Sequence, residues 1–267
     1  MPEIKTQISP QLYYRKMGTG PAVVLLHGFP ESNHIWSAVW DDLCEQFTLI
    51  IPDFPGSGES ELEKETSIYD MADCIAEILD NEKIEKAVIA GHSMGGYVGL
   101  AFAEKYPGKV IGLSLVHSTT EADDEEKKNT RLKAIELIRK GGKNAFIRQI
   151  IANLFSPHFK QAHPEIVEQQ TEEALEMEEK SLINYYFAMI GRKDQSFWLK
   201  NTSIPVQWII GMEDNLIYYK KILEQSAKSG INFVTFYNNC GHMSMLEDPN
   251  KLINDLKEFI NYSYESV

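Results

Sequence analysis

Six short apolar runs, each four to eight residues long, constrain the fold of this chain most strongly. They are rich in Val, Ile and Leu and lie at residues 22–27, 47–52, 87–90, 110–117, 206–210 and 233–237. Continuous apolar runs of this length are typical of strands covered on both faces, as in parallel sheets. Helical patterns lie between them, such as the one behind the start signal Ser67-x-x-Asp70. Strands that alternate with helices predict a doubly wound, mostly parallel α/β sheet.

The alternation stops after His117. Residues 119–194 are rich in charged residues and helical patterns, contain no strong strand signal, and form a block longer than an ordinary connection. The strand pattern resumes at Ile204. We therefore predict a core domain made of residues 1–118 and 195–267, with an inserted helical domain at residues 119–194.

Composition and charge argue against several classes of partner. The 267 residues include 26 Lys and Arg against 39 Asp and Glu, and no local basic patch interrupts this excess, so we expect no nucleic-acid partner. No apolar run is long enough to cross a bilayer, and the amino terminus lacks the apolar stretch of a signal peptide. Three scattered cysteines do not suggest a disulfide framework. We expect a cytoplasmic monomer or homodimer that binds no membrane.

The segment GHSMG at residues 91–95 places a serine directly after the third apolar run. It matches G-x-S-x-G, in which a sharp turn from a strand to a helix holds the serine strained, with its oxygen exposed. Ligands of open α/β sheets bind beyond the carboxyl ends of the strands, which is where Ser93 falls. Ser93 is therefore our candidate nucleophile, and a glycine-rich turn without chemistry is the alternative.

A serine hydroxyl is a poor nucleophile near neutral pH and needs a base that a carboxylate orients. Asp214 follows the apolar run at 206–210, and His242 follows the run at 233–237. Each residue alone is as well explained as an ordinary loop residue, and Glu213 is a rival for the role of the acid. The order Ser, Asp, His, with each residue after a strand, predicts that the three together form a catalytic triad.

Attack on a carbonyl group also requires donors for the oxyanion, and backbone N–H groups serve because their positions are fixed in advance. The N–H of Met94, directly after the nucleophile, is one candidate. The N–H of Phe29, in the loop after the first apolar run, is the other. His27 ends that run, and there a hydrogen-bonded structural role is favoured over a role as the base.

These motifs resemble the α/β-hydrolase fold family over most of the chain outside residues 119–194. The resemblance rests on HGFP at 27–30, PDFPGSGES at 52–60, the turn at Ser93, Gly211-x-x-Asp214 and Gly241-His242. In that family a helical cap, inserted at a fixed place in the chain, closes over the active site. Residues 119–194 fall at the corresponding place in this chain. The triad needs no metal or organic cofactor, and the sequence contains no phosphate loop or zinc-ligand spacing.

Several branches of that family share these motifs. HGFPESNHIW is similar to the corresponding loop of epoxide hydrolases and haloalkane dehalogenases, but those branches use an aspartate where this chain has Ser93. Ring-fission product hydrolases commonly carry Asn and Trp where this chain has His92 and Met243. The resemblance therefore favours a serine esterase that forms an acyl-enzyme. The alternatives are a carbon–carbon bond hydrolase, a perhydrolase, and a slow-turnover, hydrolase-like ligand receptor.

The predicted substrate is a small molecule with a largely apolar group. The aromatic residues expected in the pocket are Trp36 of the core and Phe146, Phe155, Tyr185 and Tyr186 of the insertion. Packing between helices explains any one of them more simply. Together they indicate apolar walls, which small-molecule pockets usually have.

Overall fold

The computed structural model describes residues 2–266, whose eight strands form one sheet. The strands are β1 (Glu3–Ile4), β2 (Leu12–Met17), β3 (Ala22–Leu26), β4 (Thr48–Pro52), β5 (Ala87–His92), β6 (Val110–Val116), β7 (Val206–Gly211) and β8 (Asn232–Tyr237). Their order in the sheet is β1-β2-β4-β3-β5-β6-β7-β8. The two pairs that involve β2 are antiparallel, and the pairs from β4 to β8 are parallel. The mostly parallel sheet predicted from the apolar runs is confirmed.

Twelve α-helices accompany the sheet in the described part of the chain. They are α1 (Ser37–Cys44), α2 (Ile68–Asn81), α3 (Met94–Lys105), α4 (Glu125–Leu137), α5 (Lys143–Leu154), α6 (Pro157–Ala162), α7 (Pro164–Glu176), α8 (Glu179–Ile190), α9 (Ser196–Asn201), α10 (Tyr219–Ser226), α11 (Ser244–Glu247) and α12 (Pro249–Glu265). None of these helices has the length and apolar character that crossing a membrane requires.

Helices cover both faces of the sheet. Neighbouring residues of a strand point to opposite faces. In β6 a Cβ at Gly112 would lie 3.2 Å from the ring of Phe259 in α12, whereas the side chain of Leu113 lies against Gly99 in α3. Both faces of β3 to β7 are therefore buried, which explains why these strands read as continuous apolar runs, whereas the edge strand β8 is mostly half-buried.

The predicted start signal begins α2. The side chain of Ser67 accepts the N–H of Asp70, and the carboxylate of Asp70 accepts the N–H of Ser67 at 2.8 Å. This capping box satisfies two backbone donors that would otherwise lack partners at the start of the helix.

The chain between β6 and β7 forms the helices α4 to α9, of which α4 to α8 lie within the predicted insertion at residues 119–194 and α9 follows it. Hydrogen bonds join this segment to the sheet-bearing part. The side chain of Asn184 bonds to the N–H (2.9 Å) and hydroxyl (2.8 Å) of Thr66, and the hydroxyl of Tyr185 donates to the carbonyl of Phe54 at 3.3 Å. The division into a core and an inserted domain stays a prediction.

Candidate active site

Ser93 lies at the junction between β5 and α3. Its φ of +49° is in the left-handed region, which residues with a side chain rarely adopt. Its N–H donates to the carbonyl of Val116 at 2.9 Å, and its carbonyl accepts the Ser118 hydroxyl at 2.8 Å and the Gly96 N–H at 3.0 Å. These bonds hold the strained turn. The partly buried side chain of Ser93 lies on the wall of a cavity of about 720 Å³.

The two glycines of G-x-S-x-G are required because backbone passes too close for a side chain. A Cβ at Gly91 would lie 2.3 Å from the carbonyl oxygen of Gly95, and a Cβ at Gly95 would lie 2.4 Å from the carbonyl oxygen of Leu26. Without side chains at these positions, α3 can begin directly against β5 and β3. The turn that presents Ser93 depends on this close approach.

His242 and Asp214 form a buried hydrogen-bonded pair. Nδ1 of His242 lies 2.6 Å from Oδ2 of Asp214, whose Oδ1 accepts the N–H groups of Leu216 (2.8 Å) and Ile217 (3.0 Å). Burial alone would raise the pKa of the Asp214 carboxyl. The charges and hydrogen bonds of neighbouring histidines, led by His242, outweigh burial and hold that pKa well below its ordinary value. Asp214 is therefore an anion at neutral pH, and Nδ1 of His242 carries the hydrogen that it accepts.

Ser93 and His242 face the same cavity. Nε2 of His242, the nitrogen that Asp214 leaves free, has no hydrogen-bond partner among residues 2–266, so it is not bonded to the Ser93 hydroxyl. In the free form of an enzyme, such a bond is often long and tightens when the substrate binds. The structure thus brings the predicted nucleophile and base to one cavity with the hydrogen bond between them unformed.

The two predicted oxyanion donors lie next to the nucleophile. Met94 is the first residue of α3, and the N–H of a first helical residue has no acceptor within its own helix. Phe29 lines the cavity together with Ser93. The loop that carries Phe29 approaches closely, since a Cβ at Gly28 would lie 3.2 Å from Cβ of Ser93. The function of the two N–H groups stays a prediction.

His27, for which a structural role is favoured, is fully buried at the end of β3. Its Nε2 accepts the N–H of Phe54 at 3.1 Å and lies 2.9 Å from the hydroxyl of Ser57, while Nδ1 donates to the carbonyl of Gly28 at 2.8 Å. Both ring nitrogens are therefore engaged with the neighbouring loops. Burial lowers the pKa of His27, which keeps the ring neutral.

A buried ion pair that the sequence did not reveal lies behind the loop of Phe29. Nδ1 of His92 is 2.9 Å from Oε2 of Glu31, which also accepts the Gly28 N–H at 2.6 Å, and Nε2 of His92 is 2.9 Å from the carbonyl oxygen of His242. Burial lowers the pKa of His92, but the Glu31 carboxylate raises it on balance. A protonated His92 thus connects the loop to the backbone of His242.

His117, the last residue of an apolar run, is a further histidine beside the pair. Its Nδ1 lies 3.7 Å from Oδ2 of Asp214, and its Nε2 accepts the N–H of Ser244 at 3.3 Å. Because Nε2 accepts, the ring hydrogen is on Nδ1 and faces the carboxylate. Burial lowers the pKa of His117 to about 4, so the ring is neutral at neutral pH.

We expect His117→Asn to weaken the dependence of stability on pH. Unfolded His117 takes up a proton near pH 6.5, whereas the folded form resists until about pH 4. Because the unfolded chain binds more protons in this range, the free energy of unfolding falls as the pH drops, by up to about 3 kcal/mol from this residue. Asparagine removes this contribution and tolerates the φ of +47° at position 117.

Chemical denaturation of the wild type and the variant at pH 7 and pH 4.5 measures this effect. The exposed His158, replaced by asparagine, is the matched control, and its free energy of unfolding should change between the two pH values as much as that of the wild type. The same change in the wild type and His117→Asn would show that His117 is not held neutral by its surroundings.

One potential ligand atom each of His117, Asp214 and His242 lies within 4.8 Å of the other two, a spacing that a metal ion can use. In the structure, a hydrogen occupies each of the two imidazole nitrogens that face Asp214. Nδ1 of His242 and Oδ2 of Asp214 are 2.6 Å apart, and Nδ1 of His117 carries its hydrogen. A metal ion would have to displace both of these hydrogens.

The five aromatic residues predicted for the pocket divide into two groups. Phe146 and Tyr186 line the cavity that contains Ser93. Trp36, Phe155 and Tyr185 do not, because each is fully enclosed by its neighbours in the packed interior. For these three residues the prediction is corrected, and packing between elements accounts for them.

A family model for the alpha/beta hydrolase fold matches residues 21–249. The chain belongs to the α/β-hydrolase family. The structure is similar to that of a thermophilic esterase from Thermogutta terrifontis, with a TM-score of 0.93, 27% sequence identity and coverage of 98% of each chain.

Two curated relatives match over shorter segments. A soluble epoxide hydrolase from a Corynebacterium species is 38% identical over 96 residues, which are 35% of this chain and 33% of that protein. An uncharacterized protein from Mycobacterium tuberculosis is 36% identical over 104 residues, 39% of this chain and 30% of that protein. The matches thus span about a third of the length of these relatives.

Proposed function

We propose that this protein is a hydrolase that cleaves carboxylic esters of small molecules through an acyl-enzyme on Ser93. The observation that carries the proposal is the arrangement of a strained serine and a buried Asp214–His242 pair around one cavity. Its volume of about 720 Å³ is in the range of small-molecule pockets. Similarity to the T. terrifontis esterase over nearly the whole chain supports the same reaction class.

In the first stage, Nε2 of His242 takes the hydroxyl proton as Oγ of Ser93 attacks the ester carbonyl carbon. The Asp214 carboxylate stabilises the imidazolium that forms. The carbonyl electron pair moves to the oxygen, which the N–H groups of Phe29 and Met94 bind. Each such donor contributes a factor of about 10²–10³ to the rate.

The imidazolium of His242 then gives its proton to the alcohol oxygen as the bond between carbon and that oxygen breaks. The acyl group remains on Ser93. Water attacks the acyl carbon while His242 takes one of its protons, and collapse of the second intermediate releases the acid and restores the serine.

The helices α4 to α8 act in this proposal as a cap over the site. Phe146 and Tyr186 of this segment line the cavity opposite the residues of the sheet edge. The carbonyl of Leu154 also accepts the N–H of His242 at 2.6 Å. The cap therefore encloses the substrate and supports the backbone of the base.

Rapid mixing with 4-nitrophenyl butyrate tests the proposal. We expect a burst of about one 4-nitrophenol per chain if release of the acid is slower than acylation, followed by continuous turnover. Enzyme pretreated with an organophosphate is the control and should show neither phase. A burst without turnover would indicate a ligand receptor, and absence of both phases with intact protein would contradict an esterase.

A further inference from the structure

Arg131, on α4, belongs to a buried charge cluster at the wall of the cavity. Its Nε donates to Oδ2 of Asp123 at 2.6 Å, and Nη1 of Arg192 lies 2.8 Å from Oδ1 of the same carboxylate. The Asp123 side chain is fully buried. Two guanidinium groups therefore share one carboxylate, and the cluster carries an uncompensated positive charge.

The two arginines differ in how fully they are bonded. Arg192 also donates to the carbonyls of Met189 (3.1 Å) and Glu121 (2.8 Å), and its side chain is 4% exposed. Arg131 lines the cavity with a side chain that is 19% exposed, and its Nη1 has no hydrogen-bond partner in the described chain. The uncompensated charge of the cluster and its free N–H donors thus lie on Arg131, which faces the cavity.

Arg131 lies one aromatic ring away from the loop that holds the oxyanion in the proposed mechanism. Its guanidinium carbon is 5.3 Å from the centre of the Tyr186 ring, and that ring is 4.7 Å from the ring of Phe29. Phe146 and Tyr186 supply apolar surface on the same wall. The cavity therefore contains a reactive end, apolar aromatic surface and a cationic group.

The other charged residues of the cavity wall are exposed. Three are cationic and two are acidic: Lys127, Lys133, Lys221, Asp124 and Glu126. Solvent screens these groups more than it screens the partly buried Arg131. With Arg131 included, the wall still carries an excess of positive charge, in a chain whose formal net charge is −13.

We propose that Arg131 binds a carboxylate on the substrate, so that the preferred substrates are esters with a free carboxylate separated from the ester by a short apolar spacer. This rests on the proposed function and names its substrate class. A guanidinium binds a carboxylate through charge-assisted hydrogen bonds, and its fixed planar shape suits this group better than an ammonium does.

The test compares charged and neutral esters in two matched pairs. In the first pair the carboxylate is on the acyl side: mono-4-nitrophenyl glutarate against 4-nitrophenyl pentanoate. In the second it is on the alcohol side: 4-acetoxybenzoate against phenyl acetate. For each pair, the kcat/KM of the charged ester is divided by that of its neutral partner. In one pair, this ratio should be at least about tenfold higher for the wild type than for Arg131→Gln.

Arg131→Gln should fold, because Arg192 continues to pair with Asp123. Arg131→Lys, which keeps the charge without the planar group, should show an intermediate ratio. Lys128→Gln is the matched control, since Lys128 lies on the same helix and pairs with Glu125 away from the cavity. It should retain the wild-type ratio.

Ratios that are the same in the wild type and Arg131→Gln for both pairs would overturn the inference and leave the esterase proposal standing. If no ester is hydrolysed, the proposed function fails. The binding of glutarate, measured by NMR, then tests the proposed carboxylate subsite. Glutarate binding that Arg131→Gln weakens at least about tenfold and Lys128→Gln preserves would support the subsite. Binding that is equal in the three proteins, or absent, would overturn it.

Discussion

Ser93→Ala should lower kcat/KM for 4-nitrophenyl butyrate by at least about 10⁴-fold, because no other group in the site can form the acyl-enzyme. The oxyanion donors and the base remain, but they have no nucleophile to assist. The folded state should be nearly unaffected, since the hydroxyl of Ser93 makes no hydrogen bond within the described chain. Steady-state kinetics and thermal unfolding measure the two quantities.

Ser244→Ala is the matched control for this experiment. Ser244 is a fully buried serine near His242, and its hydroxyl also lacks a partner among residues 2–266. Alanine keeps the N–H that Ser244 donates to His117. We expect kcat/KM within a few-fold of the wild type. An active Ser93→Ala enzyme would remove the serine from its proposed role.

Asp214→Asn should lower kcat by about 10⁴-fold, the size of effect known for replacing the acid of a serine protease triad. The carboxylate accepts Nδ1–H of His242 and stabilises the imidazolium. An amide carries no charge, and if its nitrogen faces the ring it favours the tautomer that cannot take the serine proton. The amide oxygen can still accept the N–H groups of Leu216 and Ile217, so the loop should fold.

Glu213→Gln separates the two candidate acids, since Glu213 precedes Asp214 and was its rival in the sequence. The structure gives the hydrogen bond with His242 to Asp214 alone, within the described residues. Glu213→Gln should therefore keep kcat within a few-fold of the wild type. A large loss in Glu213→Gln together with a mild effect of Asp214→Asn would reverse the assignment.

The sheet could be predicted where burial imposes a clear pattern on the sequence. The six apolar runs became β3 to β8, and both faces of β3 to β7 are covered. β1 and β2 were not predicted. β1 has only two residues, and β2 includes Arg15 and Lys16 in an antiparallel pair with β4. Short or polar strands near a sheet edge carry a weaker signal.

The candidate site also contains residues that the sequence predicted and residues that it did not. Ser93, Asp214 and His242 could be predicted to lie together because each follows a strand, and the carboxyl ends of parallel strands meet at one edge of the sheet. The partners Glu31 and His117 were not found. The contacts between Glu31 and His92, and between His117 and Asp214, join residues far apart along the chain, and spacing in a single sequence does not encode them.

The cavity wall shows a further limit of the sequence. No pattern in the sequence assigned a role to the charged residues of α4, and the aromatic residues of the insertion suggested an apolar pocket. In the structure, Asp123 holds Arg131 in the wall beside Tyr186. This placement depends on the packing of α4 against α8, which no local pattern specifies.

The location of an organophosphate adduct tests the central claim most directly. The protein would be treated with a fluorophosphonate, digested, and mapped by peptide mass spectrometry, with activity measured on the same sample. We predict one adduct per chain, on Ser93, formed in step with the loss of ester hydrolysis. Full loss of activity with Ser93 unmodified, or an adduct on another residue that accounts for the loss, would contradict the assignment of Ser93 as the nucleophile.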